Sequence, residues 1–147
     1  MDHGNPHYNA DPAQGGDAGW KKAIADYKKD GGKVLLYFNG KLIDRESEFY
    51  KSGRGKEICY HDNTGAELFE QYRFTGQGTF LADYNARTFV VADTRAPIWR
   101  KMLLDWADRA REYGANSVFY DQLGYGERAT NWDLSREFPV PIMRVIV

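Results

Sequence analysis

Thr88–Tyr125 reads TFVVADTRAPIWRKMLLDWADRAREYGANSVFYDQLGY, and this stretch decides the fold class. Thr88–Ala92 is a short run of β-branched and aromatic residues, as a strand requires. Thr94 is a candidate helix cap, and Pro97 suits a first helical turn, where its missing N–H forfeits no bond. Trp99, Met102, Leu103, Trp106, Ala107, Ala110 and Tyr113 then recur at helical spacing, while Lys101, Asp105, Asp108, Arg109, Arg111 and Glu112 fill the other face. Gly114 supplies the stop. Ser117–Tyr120 is a second strand, and Asp121 follows it directly. Strand, helix and strand predict a βαβ unit that joins two parallel strands. Proteins of this class place their chemistry in the loops at the C-terminal ends of such strands. Asp93 and Asp121 both stand at that kind of position.

A second helix-then-strand unit precedes it. Asp17 is the expected cap, Trp20, Ala23, Ile24 and Tyr27 the expected buried face, and Gly31-Gly32 the stop. Lys33–Asn39 (KVLLYFN) is nearly continuous in apolar residues, which predicts a strand buried on both faces. Tyr37, Asn39 and Asp44 fall at or just after its end.

Lys41–Gly78 is expected to hold little regular structure, with an extended piece at Leu42-Ile43, a helical turn at Ser47–Tyr50 and a basic loop at Ser52–Lys56. Glu67–Phe74 is short and mixed. So long a connection is more than a linker, and it reads as an excursion that shapes a site. Thr79–Tyr84 is a candidate hairpin or core strand, turning at Asn85–Arg87. The basic loop lacks the Walker spacing. Gly124, Gly126 and Ala129 fit G-x-G-x-x-A after a strand. Against a dinucleotide site stand Asp121, which aims negative charge at the pyrophosphate, the missing amphipathic helix, and Pro139 and Pro141.

Composition narrows the partners. The chain has 147 residues, with 20 Lys plus Arg against 21 Asp plus Glu, so no basic surface points to nucleic acid or an anionic membrane. Cys59 is alone, which rules out an internal disulfide. His3 and His7 are four apart, but Gly4 and Pro6 oppose the helix that would make them a ligand pair, so no metal and no other cofactor is expected. The first residues lack the apolar core of a signal peptide, and a cytoplasmic location is the default. Aromatics make up 15% of the chain, and such rings stack on sugars and bases as well as filling cores. PVPIMRVIV at the end reads as a cut through an element, so the chain is expected to be incomplete.

Asp2, the glycine-led helix, LLYFNG with its trailing LID (Leu35–Asp44), the excursion, VVAD with a Pro-Ile-Trp-Arg helix (Val90–Arg100), and GANSVFYDQLG (Gly114–Gly124) follow in a set order. In that order they resemble the middle of the catalytic (β/α)8 barrel in a family of largely uncharacterised bacterial glycoside-hydrolase-like proteins, distant relatives of the α-galactosidase and α-glucosidase clans. The resemblance implies an α/β fold in which residues 1–147 are the central part of a TIM barrel. It implies hydrolysis of O-glycosyl bonds, of the retaining type, by a catalytic Asp121 at the end of barrel strand four. Tyr37 and Asn39 correspond to sugar-lining positions on strand three, Asp2 to an acidic position after strand two, and Asp93 to the loop before the strand-four helix, where capping that helix is its other reading. Tyr125 and Trp132 are candidate walls for the sugar. The expected partners are a carbohydrate and the remainder of the barrel. The general acid/base is expected on a later strand, since Glu127 is a poor candidate, and SVFYD lacks the lysine of the best-known α-galactosidases. A non-catalytic carbohydrate-binding module remains the competing reading.

Overall fold

The computed structural model describes residues 6–72, 87–123, 130–131 and 140–141. A 3-10 turn at Pro12–Gln14 leads into α1 (Gly16–Lys29), β1 (Leu35–Asn39) and β2 (Leu42–Asp44). Two short helices follow, α2 (Glu48–Lys51) and α3 (Arg54–Ile58), then β3 (Phe69–Tyr72), β4 (Arg87–Val91), α4 (Pro97–Glu112) and β5 (Ser117–Asp121). Thr130–Asn131 (β6) and Val140–Pro141 (β7) form a small antiparallel ladder. The fold is mixed α/β.

The parallel pair is β1 with β5, in register from Leu35 opposite Ser117 to Asn39 opposite Asp121. Asn116 extends it, taking a hydrogen bond from the Val34 N–H on its side-chain oxygen at 3.0 Å and donating its own N–H to the Val34 carbonyl at 2.8 Å. This corrects the expected pairing. The strand before α4 does not run beside β5. Instead β4 is the centre of a separate antiparallel sheet, ordered β2-β4-β3. The crossover therefore starts at β1, passes through the whole excursion, and returns through α4 to β5. Local spacing identified the elements, but the strand partner depends on contacts across the intervening excursion, which periodicity does not carry.

The excursion is also more regular than expected. Ser47 caps α2, accepting the Tyr50 N–H at 3.2 Å, and is itself fixed by donating its hydroxyl to the Asp44 carbonyl at 2.6 Å. The supposed basic loop is largely helix: Gly53 takes the left-handed cap position and α3 begins at Arg54. Much of the mixed stretch at Glu67–Phe74 is β3. Tyr60 and Leu68 extend the sheet, with the Tyr60 N–H bonded to the Val91 carbonyl at 2.8 Å and the Leu68 N–H to the Tyr60 carbonyl at 2.7 Å. Lys41 is buried as a cation and paired with Glu70 of β3. The candidate strand at Thr79–Tyr84 lies outside the described residues.

Helix α4 presents Trp99, Trp106 and Ala110 to the core, and Tyr113, its C-cap, is buried as well. Trp106 stacks on Phe38 of β1 at 5.4 Å and meets Trp99 edge-on at 5.7 Å. Each such ring removed from water contributes about 1.5–3 kcal/mol. The helix starts without a side-chain cap: Ala96, not Thr94, holds that position, and Pro97 is the first residue. Asp93 does not cap the helix either: its carbonyl closes the preceding turn by accepting the Ala96 N–H at 2.9 Å.

Two burial expectations fail together. Trp20 and Tyr27 of α1 are exposed at 43% and 58%, and only Ile24 of that helix is buried. Gly15 caps α1, while Asp17 in its first turn accepts the Tyr113 hydroxyl at 2.6 Å. The β1 strand is covered on one face only. Leu36 and Phe38 pack toward α4, whereas Leu35 and Tyr37 on the other face are 55% and 49% exposed. Continuous hydrophobicity marks a strand that tolerates burial on both faces without showing that both are covered by the residues described.

Candidate functional site at the ends of the parallel strands

Alternation along β1 and β5 puts Tyr37, Asn39, Phe119 and Asp121 on one face of the parallel pair. Tyr37 stands opposite Phe119, two residues before Asp121, and so reaches the carboxylate diagonally. Its hydroxyl donates to Asp121 Oδ2 at 2.7 Å. Among the described residues, that is the bond which holds the Asp121 carboxylate, and Oδ1 is left open. Half-exposed at a strand end, Asp121 is an oriented carboxylate with one oxygen available to a ligand.

Asn39 does different work. Its side-chain oxygen accepts the N–H groups of Lys41 at 3.0 Å and Leu42 at 2.9 Å, and its amide nitrogen donates to Gln122 Oε1 at 3.1 Å. The two bonds to the backbone are buried, and the one to Gln122 is partly so. The side chain shapes the turn from β1 into β2 and ties that turn to the residue after Asp121. Gly40 completes the link: its N–H bonds to the Asp121 carbonyl at 2.8 Å and its carbonyl accepts Trp99 Nε1–H at 2.8 Å. A Cβ on Gly40 would lie 2.9 Å from the Leu123 Cβ, so the close approach of the two loops needs glycine. Gln122 has φ 61°, a left-handed backbone at a non-glycine residue beside the candidate catalytic carboxylate.

Asp93 is fully buried, and Arg95 engages both its oxygens, Nε to Oδ1 at 2.9 Å and Nη2 to Oδ2 at 2.8 Å. The Arg95 N–H bonds to Oδ1 as well, at 2.9 Å. The carboxylate neutralises a guanidinium and folds the approach to α4. Asp2, Tyr125 and Trp132, with His3, Glu127 and the Gly124–Ala129 pattern, lie outside the described residues. No group of three potential metal ligands occurs among the described residues, and no described helix is long and apolar enough to cross a membrane.

Tyr8 was not legible as a site residue. Its ring packs edge-on against Phe38 at 5.1 Å and Trp106 at 5.2 Å, and its hydroxyl accepts the Asn39 N–H at 2.6 Å. Arg109 of α4 pins the same segment by donating to the Tyr8 carbonyl at 3.1 Å. Burial pushes the phenol well above its usual pKa, and the nearby Tyr37 and Asp121 push in the same direction, so it stays protonated. Nothing in the local pattern of Pro6–Asp11 marks this tyrosine, because its partners lie on β1 and α4.

Against known proteins, a Monosiga brevicollis protein named "Putative glycoside hydrolase 22789" is 25% identical over 123 residues, covering 82% of this chain. The matched segment is 10% of that protein's length, so the chain corresponds to a small part of it. No solved structure matches the chain. A family model described as "Domain of unknown function (DUF6259)" matches residues 1–141, and the chain belongs to that family.

Proposed function

We propose that this protein is part of a glycoside hydrolase of the retaining type and that Asp121 is its nucleophile. The observation that carries the reading is the Asp121 carboxylate, held on Oδ2 by the Tyr37 hydroxyl and open on Oδ1 at the C-terminal end of a parallel strand. The similarity to a protein named as a glycoside hydrolase supports it. In this reading β1, the excursion, α4 and β5 form one repeat of a (β/α)8 barrel, strands three and four, with residues 1–147 as a segment of that single catalytic domain. The exposed face of Leu35, Tyr37 and Phe119 is then turned toward the barrel interior.

In the reaction, Asp121 Oδ1 attacks the anomeric carbon. The bond to the leaving oxygen breaks as a second carboxyl group protonates it, and water then releases the glycosyl ester. The two groups must stand about 5–5.5 Å apart for retention. Tyr37 fixes the carboxylate rotamer so that Oδ1 is presented without reorganisation. Asn39 acts by shaping the loop, and Asp93 by setting the start of α4. Asp2, Tyr125 and Trp132 are further sugar contacts on the resemblance alone.

One observation favours a binding module instead: Asp93 and Glu70, acids of the adjoining excursion, are already paired with Arg95 and Lys41. A panel of aryl α- and β-glycosides separates the readings. Turnover that disappears in Asp121→Asn supports the nucleophile. Turnover equal in wild type and Asp121→Asn overturns it, and sugar binding without turnover fits either the module or a segment whose general acid/base lies outside these residues.

A further inference from the structure

We propose that Tyr8 is a second ligand-contacting residue of this site, donating its hydroxyl proton to a hydroxyl of the carbohydrate held at Asp121. The inference rests on the carbohydrate reading above and adds a residue that neither the sequence resemblance nor the matched relative assigns.

The backbone locates the hydroxyl. Successive N–H groups of a strand point to opposite edges. The Gly40 N–H points to β5, where it meets the Asp121 carbonyl. The Asn39 N–H therefore points to the other edge of β1, and there it meets Tyr8 Oη. The end of β1 is thus flanked by Asp121 on one side and the Tyr8 hydroxyl on the other, one strand spacing plus one hydrogen bond or roughly 7–8 Å across at the backbone. Tyr37 lies between them and is spent on Asp121. A hexopyranose with its hydroxyl groups covers such a span.

The hydroxyl has a proton to give. It accepts from Asn39, and among the described residues that proton has no acceptor. The phenol is held from three directions, by Phe38 and Trp106 against its ring and by Arg109 at its backbone, so the donor is oriented before any ligand arrives. The residue as a whole keeps some solvent exposure. The two groups differ in polarity: a carboxylate oxygen accepts from one sugar hydroxyl while the phenol donates to another. A phosphate or carboxylate ligand would be repelled by Asp121.

The test is binding, measured by calorimetry, of gluco-, galacto-, manno- and xylo-configured monosaccharides and their iminosugar analogues to wild type, Tyr8→Phe and Asp121→Asn. The mono-deoxy forms of whichever sugar binds complete a cycle. Tyr8→Phe is expected to weaken the parent sugar about three- to tenfold, the worth of one neutral hydrogen bond. The loss should be clearly smaller for one particular deoxy sugar, the one lacking the contacted hydroxyl, than for the parent and the other deoxy forms. A role confined to supporting Asn39 would weaken every sugar alike, and that result overturns the inference while leaving the Asp121 reading intact. If no sugar binds wild type, both fall. If Tyr8→Phe does not fold, difluorotyrosine at position 8 keeps the contacts with a more acidic phenol. Sugar affinity should then fall with rising pH earlier than in wild type, and an unchanged pH profile overturns the inference.

Discussion

Replacing Asn39 with alanine tests the central joint of this structure. The side chain accepts two backbone N–H groups, from Lys41 and Leu42, and donates to Gln122. Asn39 is 6% exposed, and Leu42 is 3% exposed, so water reaches the vacated positions poorly. Each orphaned buried donor costs about 1–3 kcal/mol, and the bond to Gln122 adds about 0.5–1.5 kcal/mol. Some relaxation of the turn offsets part of this, which puts the expected loss at about 2–4 kcal/mol. For a chain of this size that lowers Tm by roughly 5–15 °C. Urea unfolding followed by circular dichroism and tryptophan fluorescence measures it, with Gln122→Ala as the reference for the third bond. Gln122→Ala, which spares the two backbone donors, is expected to cost less than Asn39→Ala. If Asn39→Ala costs no more than Gln122→Ala, the two backbone donors are satisfied by other means and the joint is misassigned.

Other substitutions probe neighbouring contacts. Trp99→Phe keeps most of the ring burial but removes the donor to the Gly40 carbonyl, and is expected to cost about 1–3 kcal/mol by urea titration. Gln122→Gly should be less destabilising than Gln122→Ala, because glycine relieves a left-handed backbone worth about 1–2 kcal/mol; equal stabilities of the two variants contradict this. Arg95→Met removes the guanidinium that engages both oxygens of the buried Asp93 carboxylate and should cost about 3–5 kcal/mol by urea titration. Burial and the bond to Asp17 push Tyr113 up to about 12 from 10.0. Its folded form therefore favours the neutral phenol, and this contribution is complete below pH 10 and lost as pH rises to about 12. Tyr113→Phe should show a shallower loss of unfolding free energy across that window than wild type, as measured by urea titration at stepped pH.

The sequence was most readable where the determinants are local. Trp99, Trp106 and Ala110 at helical spacing locate α4 within a residue or two, and the strand expected at Ser117–Tyr120, with Asp121 directly after it, extends through Asp121 as β5. Ser47–Tyr50 and Leu42-Ile43 also appear as an α2 turn and β2. Pairing was another matter. Thr88–Ala92 has the composition of a strand, and nothing in it distinguishes the centre of an antiparallel sheet from a parallel neighbour of β5. Its partners Leu42–Asp44 and Phe69–Tyr72 are chosen by register across the excursion. Tyr37 and Asp121, 84 positions apart, were each picked out singly, and only the parallel register brings them within hydrogen-bond distance. Asn39 was expected to face a sugar, but its polar atoms are used within the fold. From sequence, an asparagine at a strand end reads equally as a ligand or as a turn.

The turn at Asn39–Leu42 gives the excursion a physical reason for its place. A parallel strand pair needs a crossover, and a helix alone would suffice. Here the chain first builds a second sheet whose initial strand, β2, begins three residues after β1 ends. That proximity means the same few atoms end one sheet and start the other. Asn39 holds the Leu42 N–H at the head of β2 and Gln122 just past β5, while Gly40 holds the Asp121 carbonyl and receives Trp99 from α4. Any shift of the β2-β4-β3 sheet relative to α4 is therefore transmitted to the backbone of Asp121 through no more than two hydrogen bonds. A carboxylate that must present one oxygen to a ligand benefits from being fixed at its main chain as well as by Tyr37. It follows that variants at the joint, such as Asn39→Ala, should weaken ligand binding at Asp121 even where the protein stays folded. Substitutions in the far part of the excursion, such as Thr64→Ala in the turn held by Asp62, should leave binding unchanged. Equal effects at the two places would mean that the excursion acts on the site by direct contact with ligand instead of through the joint.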